Sequence, residues 1–419
     1  MPKAMKLTLL ALSTLLAAFV FVGGFLPGYL PGNVRASSDA PNAYRQMEVY
    51  SEVLQHIQND YVVTPRIDKV TAGALHGLLE GLDPESSYMT AKEYQQYLAL
   101  QKAGPAQVGL DISKKFGYAT VVSVEPDSAA EKANLKEDDV IEAVDGKSTR
   151  VLSATMIRAL LNGQPGSTVN ISVIRPTSSV PDTVTLTRQI LSYPPVEATS
   201  MSNGSVLYLR PYRLTKNRVH TVIEHLHAMQ KNKQQKVLLD LRDVAEGDND
   251  SALWLANAFV QTGTLTQLEG QTVPKQILTA DPKKFVTAAP LAVLVNHGTS
   301  GPAELVAAAL LDDKRADVVG EPTFGSGVLL RQFPMQDGSM IALAVAKYES
   351  PSGIVIQEKG VQPNVEAGTT EIANADSAAN AGAAPPATVK SSSNTPLEDS
   401  DWQVHTALQQ LQKKPAGTQ

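Results

Sequence analysis

The feature that most constrains the fold is an alternation of strand and helix patterns that begins near Val206. Short apolar runs such as "VLYL", "KVLLDLR" and "LAVLVN" alternate with amphipathic stretches such as "NRVHTVIEHLHAMQ" and "DSALWLANAFV". This alternation is typical of an α/β core. One of these units, "VNHGTSGPAELVAAALL", has the pattern of a buried strand that turns into a helix, a geometry that can present a serine nucleophile.

Two segments with other patterns precede this core. From Asn42 to about Tyr97 the apolar residues recur at intervals of three and four, which predicts a helical lead-in. From about Val108 to Leu191 short apolar runs alternate with turn dipeptides, which predicts a small β-rich domain. Within that domain the spacing of Ser128 and Glu131 predicts the start of one short helix, and "SATMIRALLN" predicts another.

The N-terminus carries an apolar segment. Lys3 and Lys6 precede an uncharged run over residues 7–29 that is just long enough to span a bilayer. Residues 1–36 are therefore predicted to be a signal peptide, cleaved after Ala36, or an uncleaved membrane anchor. Both alternatives predict a protein of the cell envelope, periplasmic or otherwise extracytoplasmic, and an uncleaved segment would anchor it in the cytoplasmic membrane.

Composition excludes several kinds of chemistry. The chain has no cysteine, so disulfides, thiol nucleophiles and cysteine-based zinc sites are excluded, and we expect no metal or other cofactor. Its net charge of −6 provides no basic surface for nucleic acid. Residues 367–395 are rich in Ala, Ser, Asn and Pro and are predicted to be a disordered linker. Residues 396–419 contain "WQVHTALQQLQ", which predicts a short C-terminal helix that docks back.

Several motifs, in their order along the chain, resemble the C-terminal processing (tail-specific) serine peptidases. They are "GLDPESSYM", "LLDLR", "VLVNHGTSGPAELVAAAL", "VVGEPTFGSG" and "YESPSGIVIQEKGVQPNVEA". The resemblance extends from about residue 42 to 366. It implies an N-terminal helical segment (42–105), an inserted PDZ domain (106–191) and a peptidase-like α/β core of crotonase-like architecture (192–366). It also implies a protein that works on the C-termini of unfolded or tagged proteins.

The predicted PDZ domain offers a peptide-binding loop. Such a domain adds a chain end as a strand at a sheet edge, and the amides of an apolar-Gly-apolar loop receive the terminal carboxylate. The segment "QVGLDI" places Val108, Gly109 and Leu110 in that loop, and Ile112 belongs with them to the predicted peptide-binding set. The alternative is that Val108 and Leu110 are core residues of the first strand.

The catalytic positions of the family are changed in this chain. The family's nucleophilic serine stands three residues before a glutamate, and here Gly301 stands three before Glu304. The family's lysine base corresponds to Ser326, and the glutamine that orients the lysine corresponds to Leu330. Because a Ser-Lys mechanism needs a hydroxyl nucleophile and a neutral lysine, these substitutions predict a catalytically degenerate member.

The turn that forms the family's oxyanion hole is changed as well. The family pattern L-D-L-R-N-N-P-G-G corresponds to "LDLRDVAEG", in which residues 243–246 replace the asparagines, the proline and the first glycine. A glutamate at position 246 would oppose the negative charge that an oxyanion hole must stabilise.

The sequence is compatible with three functions. The first is a binding or regulatory protein that captures C-terminal tails without cleaving them. The second is an active serine endopeptidase in which Ser300 has become the nucleophile, although no base is evident among His297, Lys314 and Lys347; Ser300 is otherwise a loop hydroxyl near the helix start. The third is an oligomeric envelope scaffold assembled through the N-terminal helices and the C-terminal helix.

Overall fold

A computed structural model describes residues 40–115, 117–176, 178, 180–229, 231–232, 234–368, 397 and 401–414. The predicted signal peptide or anchor at residues 1–36 and nearly all of the predicted linker at 367–395 lie outside the described residues. Within the described ranges no helix has the length and apolar character needed to cross a membrane. The chain divides into two compact units, Met1–Val70 and Thr71–Gln419.

The first unit contains helix α1 (Ala40–Asp60) and the start of helix α2 (Ile67–Glu80), which ends in the second unit. Four large apolar side chains recur every three residues along α1, and all of them are exposed: Tyr44, Met47, Tyr50 and Val53. Apolar side chains around α1 are therefore accessible to solvent.

The second unit opens with strand β1 (Ser87–Met89) and helix α3 (Ala91–Gln101). The sequence predicts helix throughout this lead-in, and the structure differs at β1. The carboxylate of Asp83 accepts hydrogen bonds from the Ser86 amide at 2.6 Å and the Ser86 hydroxyl at 2.6 Å, which turns the chain before the strand. β1 then pairs antiparallel with strand β16 (Met340–Glu349). A strand so short carries no periodic signal of its own.

The predicted β-rich domain is an antiparallel sheet in the order β2-β3-β4-β6-β7, with β5 paired to β4. Its elements are β2 (Leu110–Lys115), β3 (Tyr118–Val124), α4 (Ala129–Lys132), β4 (Val140–Val144), β5 (Lys147–Ser148), a 3-10 turn (Thr149–Val151), α5 (Ala154–Leu161), β6 (Thr168–Ile174) and β7 (Asp182–Thr187). The predicted helix starts are confirmed: Ser128 caps α4 by accepting a hydrogen bond from the Glu131 amide at 3.0 Å, and Ser153 caps α5. β2 is the last strand at one end of the sheet.

The α/β core contains a six-stranded sheet in the order β17-β14-β13-β10-β9-β8, in which only β8 runs antiparallel to its neighbour. The strands are β8 (Glu197–Met201), β9 (Val206–Arg210), β10 (Lys236–Asp240), β13 (Leu291–Val295), β14 (Ala316–Gly320) and β17 (Val365–Glu366). Helices α6 (Lys216–Ala228), α7 (Asn249–Phe259) and α8 (Pro302–Asp312) connect them. A second sheet joins β1 and β16 to β11 (Thr264–Glu269), β12 (Gln276–Thr279) and β15 (Val328–Pro334), and a 3-10 turn covers Pro282–Lys284.

Both faces of the six-stranded sheet are covered. Alternate residues of its central strands pack on one side against α6, α7 and α8. On the other side they pack against helix α9 (Trp402–Lys413), whose buried face consists of Val404, Ala407, Leu408 and Leu411. Arg242 fastens this helix by binding Asp240 and Asp401, each at 2.6 Å. The predicted C-terminal helix is thus present and docked on the core.

Candidate functional site

The turn between β13 and α8 has a backbone geometry that suits glycine. Gly301 precedes α8 with φ 56° and ψ −115°, a region that side chains of L-residues rarely occupy. Pro302 follows at the first helical position, where its missing N–H costs nothing. A Cβ atom on Gly301 would lie 3.8 Å from the Ala245 carbonyl oxygen and 4.0 Å from that of Ser326, which are ordinary contacts. The turn therefore has room for a side chain at position 301.

Glu304 connects this turn to the loop that precedes β15. Its carboxylate is completely buried and accepts hydrogen bonds from the amides of Gly301 at 2.9 Å, Gly325 at 2.7 Å and Ser326 at 2.7 Å. The Thr323 hydroxyl donates a fourth hydrogen bond. Burial raises the pKa of Glu304, and these four hydrogen bonds oppose that rise. In the sequence, Glu304 only locates the predicted nucleophile position. In the structure, its carboxylate links the turn at Gly301 to the loop at Gly325 and Ser326.

The structure brings two of the three family-equivalent positions together. The main chain of Ser326 lies beside Gly301, because both amides bind the Glu304 carboxylate. Leu330 lies four residues further along β15, opposite Ala344, and is 37% exposed. The structure thus places Gly301 and the main chain of Ser326, the positions predicted for the nucleophile and the base, side by side.

Ser300, the alternative nucleophile, is 4% exposed. Its amide donates a hydrogen bond to the Val244 carbonyl at 3.1 Å, while its hydroxyl forms no hydrogen bond with any residue that the structure describes. Of the three candidate bases, Lys314 and Lys347 are exposed, and the His297 ring lies edge-on to Phe324 at 5.5 Å. None of them hydrogen-bonds to the Ser300 hydroxyl.

The changed turn at residues 243–246 is held by ion pairs and an amide. The Asp243 carboxylate accepts a hydrogen bond from Asn296 Nδ2 at 2.7 Å and another from Arg210 at 3.2 Å. Glu246 pairs with Arg213. The sequence predicts an opposing charge at Glu246; in the structure that charge is balanced by a guanidinium.

The β-rich domain reaches this turn through Glu137. Both Oε1 of Glu137 and Oδ1 of Asp243 lie within 2.8 Å of the point that a Cβ on Gly298 would occupy, so a side chain there would displace these two carboxylates. Burial and the adjacent Asp243 carboxylate raise the pKa of Glu137 to about 8. At neutral pH the Glu137 carboxyl is therefore favoured in its protonated form beside Asp243.

The predicted peptide-binding loop offers backbone groups, because two of its side chains point inward. Val108 and Ile112 are buried in the core of the β-rich domain, whereas Leu110 is only partly buried. Gly109 has φ 83°, and a Cβ there would come within 2.1 Å of Ser128 Cβ. The amides of Val108 and Gly109 form no hydrogen bond within the described part of the chain, so they are available to an anion.

The edge of β2 and the loop that carries Ser326 border one cavity of about 240 Å³. Ser113 and Lys114 of β2 line one side of it, and Phe324, Gly325 and Ser326 line another. A strand added to β2 would therefore run past the loop that carries Ser326. Among the described residues no acidic or histidine side chains form a group that could hold a metal ion.

Fold and site together define a protein in which a PDZ-type peptide-binding domain is joined to a peptidase-like core. The profile of Peptidase family S41 matches residues 205–367, and that of the PDZ domain matches residues 106–187. The carboxy-terminal processing protease CtpA of Bacillus subtilis is 28% identical over 373 residues, which cover 88% of this chain and 78% of that protein. The carboxyl-terminal-processing protease of Synechocystis is 31% identical over 315 residues, 74% of each chain.

A solved structure gives the same result. The photosystem II D1 C-terminal processing protease superposes with a TM-score of 0.63 at 27% identity, covering 77% of this chain and 93% of that one. The chain therefore belongs to the carboxyl-terminal processing proteases of peptidase family S41. The predicted fold class, a mixed α/β peptidase core with an inserted PDZ domain and an N-terminal helical segment, is confirmed.

Proposed function

We propose that this protein binds the C-terminal tails of other proteins through its PDZ domain and that its core no longer cleaves them. The observation that carries the proposal is Gly301, which stands in the turn before α8 with free space beside it but has no side chain to act as a nucleophile. A scaffold of this kind can capture a substrate without carrying out the reaction.

Tail binding is supported by the backbone of the PDZ domain. The amides of Val108 and Gly109 are available to a terminal carboxylate, and the adjacent strand β2 is an edge strand of its sheet. Recognition of this kind depends on main-chain groups, so it tolerates many side-chain sequences in the ligand. Unfolded or tagged C-termini are the ligands that fit this geometry.

Loss of activity is supported by the side chains. A serine peptidase needs a hydroxyl and a base within hydrogen-bonding distance of each other. Gly301 supplies no hydroxyl, Ser326 cannot accept a proton as a neutral lysine does, and within the described part of the chain no base hydrogen-bonds to the Ser300 hydroxyl. In serine peptidases, loss of the nucleophile or the base lowers kcat on the order of a millionfold.

We also propose the cell envelope as its location. The apolar segment at residues 7–29 would direct the chain across the cytoplasmic membrane and would anchor it there if it is not cleaved.

The domain limits proposed from the sequence, 42–105, 106–191 and 192–366, follow the order of the elements in the structure.

Two alternatives have support of their own. Family membership favours an active endopeptidase, since the related proteins are named as proteases, and Ser300 is then the nucleophile. The exposed apolar side chains of α1 favour a homo-oligomeric scaffold, which is compatible with tail binding.

One assay separates these functions. The purified chain is incubated with an unfolded reporter protein that ends in an apolar tail, and both binding and fragment release are measured. Binding without fragments supports the proposal. Fragments that disappear with Ser300→Ala establish the endopeptidase, and the absence of both binding and cleavage leaves the scaffold.

Restoring the family's catalytic side chains tests whether the core lacks proteolytic activity only because these side chains are missing. The triple variant Gly301→Ser, Ser326→Lys, Leu330→Gln is expected to gain tail-dependent proteolysis, because the turn has space at position 301 and Ser326 is adjacent to it. The matched control carries Gly301→Ala with the other two changes and lacks only the hydroxyl oxygen. Equal cleavage by both variants would show that the restored serine is not the nucleophile.

A further inference from the structure

The edge of β2 is already occupied at Ile112. The Ile112 amide donates a hydrogen bond to Oδ1 of Asp111 at 2.9 Å, and the Ile112 carbonyl accepts one from Nη2 of Arg158 at 2.7 Å. In an antiparallel strand the N–H and C=O of one residue point to the same side. Since β3 lies on the other side of β2, these two groups belong to the free edge. Side chains thus take the place that a ligand strand would take.

Arg158 is fixed in this position from two directions. It projects from α5 and binds Oε2 of Glu85 through Nη1 at 3.2 Å, while its Nε lies 3.9 Å from Oδ1 of Asp111. Glu85 is buried and belongs to the loop before β1, which is outside the PDZ domain. The amide of Ala344 on β16 in turn donates to the Ser86 hydroxyl at 3.0 Å, so this loop is joined to the core.

We propose that Asp111, Arg158 and Glu85 form a plug that closes the peptide-binding edge of the PDZ domain and that an incoming C-terminal tail must displace. The inference rests on the proposed tail binding and deepens it. Strand addition at β2 needs the N–H and C=O of Ile112, and the plug holds both. Displacement breaks a charge-assisted hydrogen bond, so the plug lowers the affinity for every tail that binds in this way.

The test is a titration of a fluorescein-labelled octapeptide with an apolar C-terminus and a free carboxylate, followed by fluorescence anisotropy, against the full chain and its variants. Arg158→Met removes the donors and keeps the aliphatic stem, and it is expected to tighten binding about tenfold. Glu85→Gln releases one end of Arg158 and is expected to tighten binding about threefold. Arg175→Met is the matched control: Arg175 pairs with Asp182 at the hairpin of β6 and β7, at the other end of the sheet, and this change should leave affinity unchanged.

The outcomes separate the plug from the proposed function. The plug is supported if Arg158→Met binds the peptide with a free C-terminal carboxylate more tightly than the parent chain does, and does not bind the C-terminally amidated peptide more tightly. If Arg158→Met is folded, as judged by its melting temperature, and binds equally or more weakly, the plug is wrong although the tail binding stands. If Arg158→Met does not fold, Glu85→Gln decides in the same way. If neither the parent chain nor a folded variant binds the peptide, tail binding itself fails, and the plug with it.

Discussion

The free edge of β2 and the loop at Phe324–Ser326 border the same cavity. The function proposed for the β2 edge depends on backbone groups, whereas catalysis on the opposite side would depend on particular side chains. The β2 edge offers amides and carbonyls, which every residue other than proline possesses. The opposite side, in the proposed function, would need a hydroxyl nucleophile, an amine base and an amide to orient that base, where the chain has Gly301, Ser326 and Leu330. A function based on the backbone can persist through sequence changes that remove a function based on side chains.

The strongest test of this contrast is Glu304→Ala, because the Glu304 carboxylate links the turn at Gly301 to the loop at Gly325 and Ser326. Its removal leaves the buried donors of Gly301, Gly325 and Ser326 without a partner, and we expect a loss of about 4 kcal/mol in the free energy of unfolding. Urea denaturation measures it. Glu366→Ala, at an exposed carboxylate on β17, should change stability by less than about 0.5 kcal/mol. Equal effects would mean that Glu304 does not hold the site together.

Gly301→Ser should have a smaller effect. The added side chain has space, so the cost comes from placing a serine at φ 56° and ψ −115°, about 2 kcal/mol. Gly204→Ser is the control, since Gly204 also has a positive φ and open space, and its cost should be about 1 kcal/mol. Thermal melts of both variants make the comparison. A stabilising Gly301→Ser would show that the turn is not strained for a side chain.

The contact between Glu137 and Asp243 predicts that stability depends on pH. The pKa of Glu137 lies at about 8, above that of an unfolded glutamate, so its contribution is present at low pH and is lost as pH rises through about 8. Nearby Asp138 and Glu321 act in the same direction, while Arg210 partly neutralises Asp243. The melting temperature should therefore fall from about pH 6 to about pH 9.

Glu137→Gln isolates this contribution, since the amide mimics the protonated acid at every pH. The variant should show a shallower fall in melting temperature than the parent chain. Burial raises the pKa of Glu125 to about 7, and its titration remains in both proteins. Identical pH profiles would show that Glu137 does not titrate with a raised pKa in the folded protein.

The smallest expected effect is that of Ser300→Ala. Because the hydroxyl forms no hydrogen bond within the described part of the chain, the free energy of unfolding should change by less than about 0.5 kcal/mol. Fragment release from the reporter protein should be unchanged. A loss of proteolysis in this folded variant would reverse the contrast and make Ser300 the nucleophile.

Sequence patterns predict much of this fold because they report local periodicity. The α/β alternation after Val206, the caps at Ser128 and Ser153 and the turn into α8 are all visible in that way. The hydrogen bonds to the Glu304 carboxylate and the plug are not visible in the sequence, because their partners are far apart in the chain. Glu85 and Arg158, for example, are 73 residues apart. The sequence also predicts Ile112 as a ligand-binding residue, and it does not reveal that its side chain is buried while its backbone faces the edge.

The position of α9 has a consequence for how the chain folds during synthesis. The face that Val404, Leu408 and Leu411 cover is built from strands between Met201 and Val319, which leave the ribosome far earlier. Until α9 arrives, Leu238 and Leu294 on that face are exposed to other chains and to chaperones. The nascent protein thus carries an uncovered apolar sheet face from the synthesis of Val319 until that of α9, and a premature stop before Trp402 would leave that face exposed and prone to aggregation.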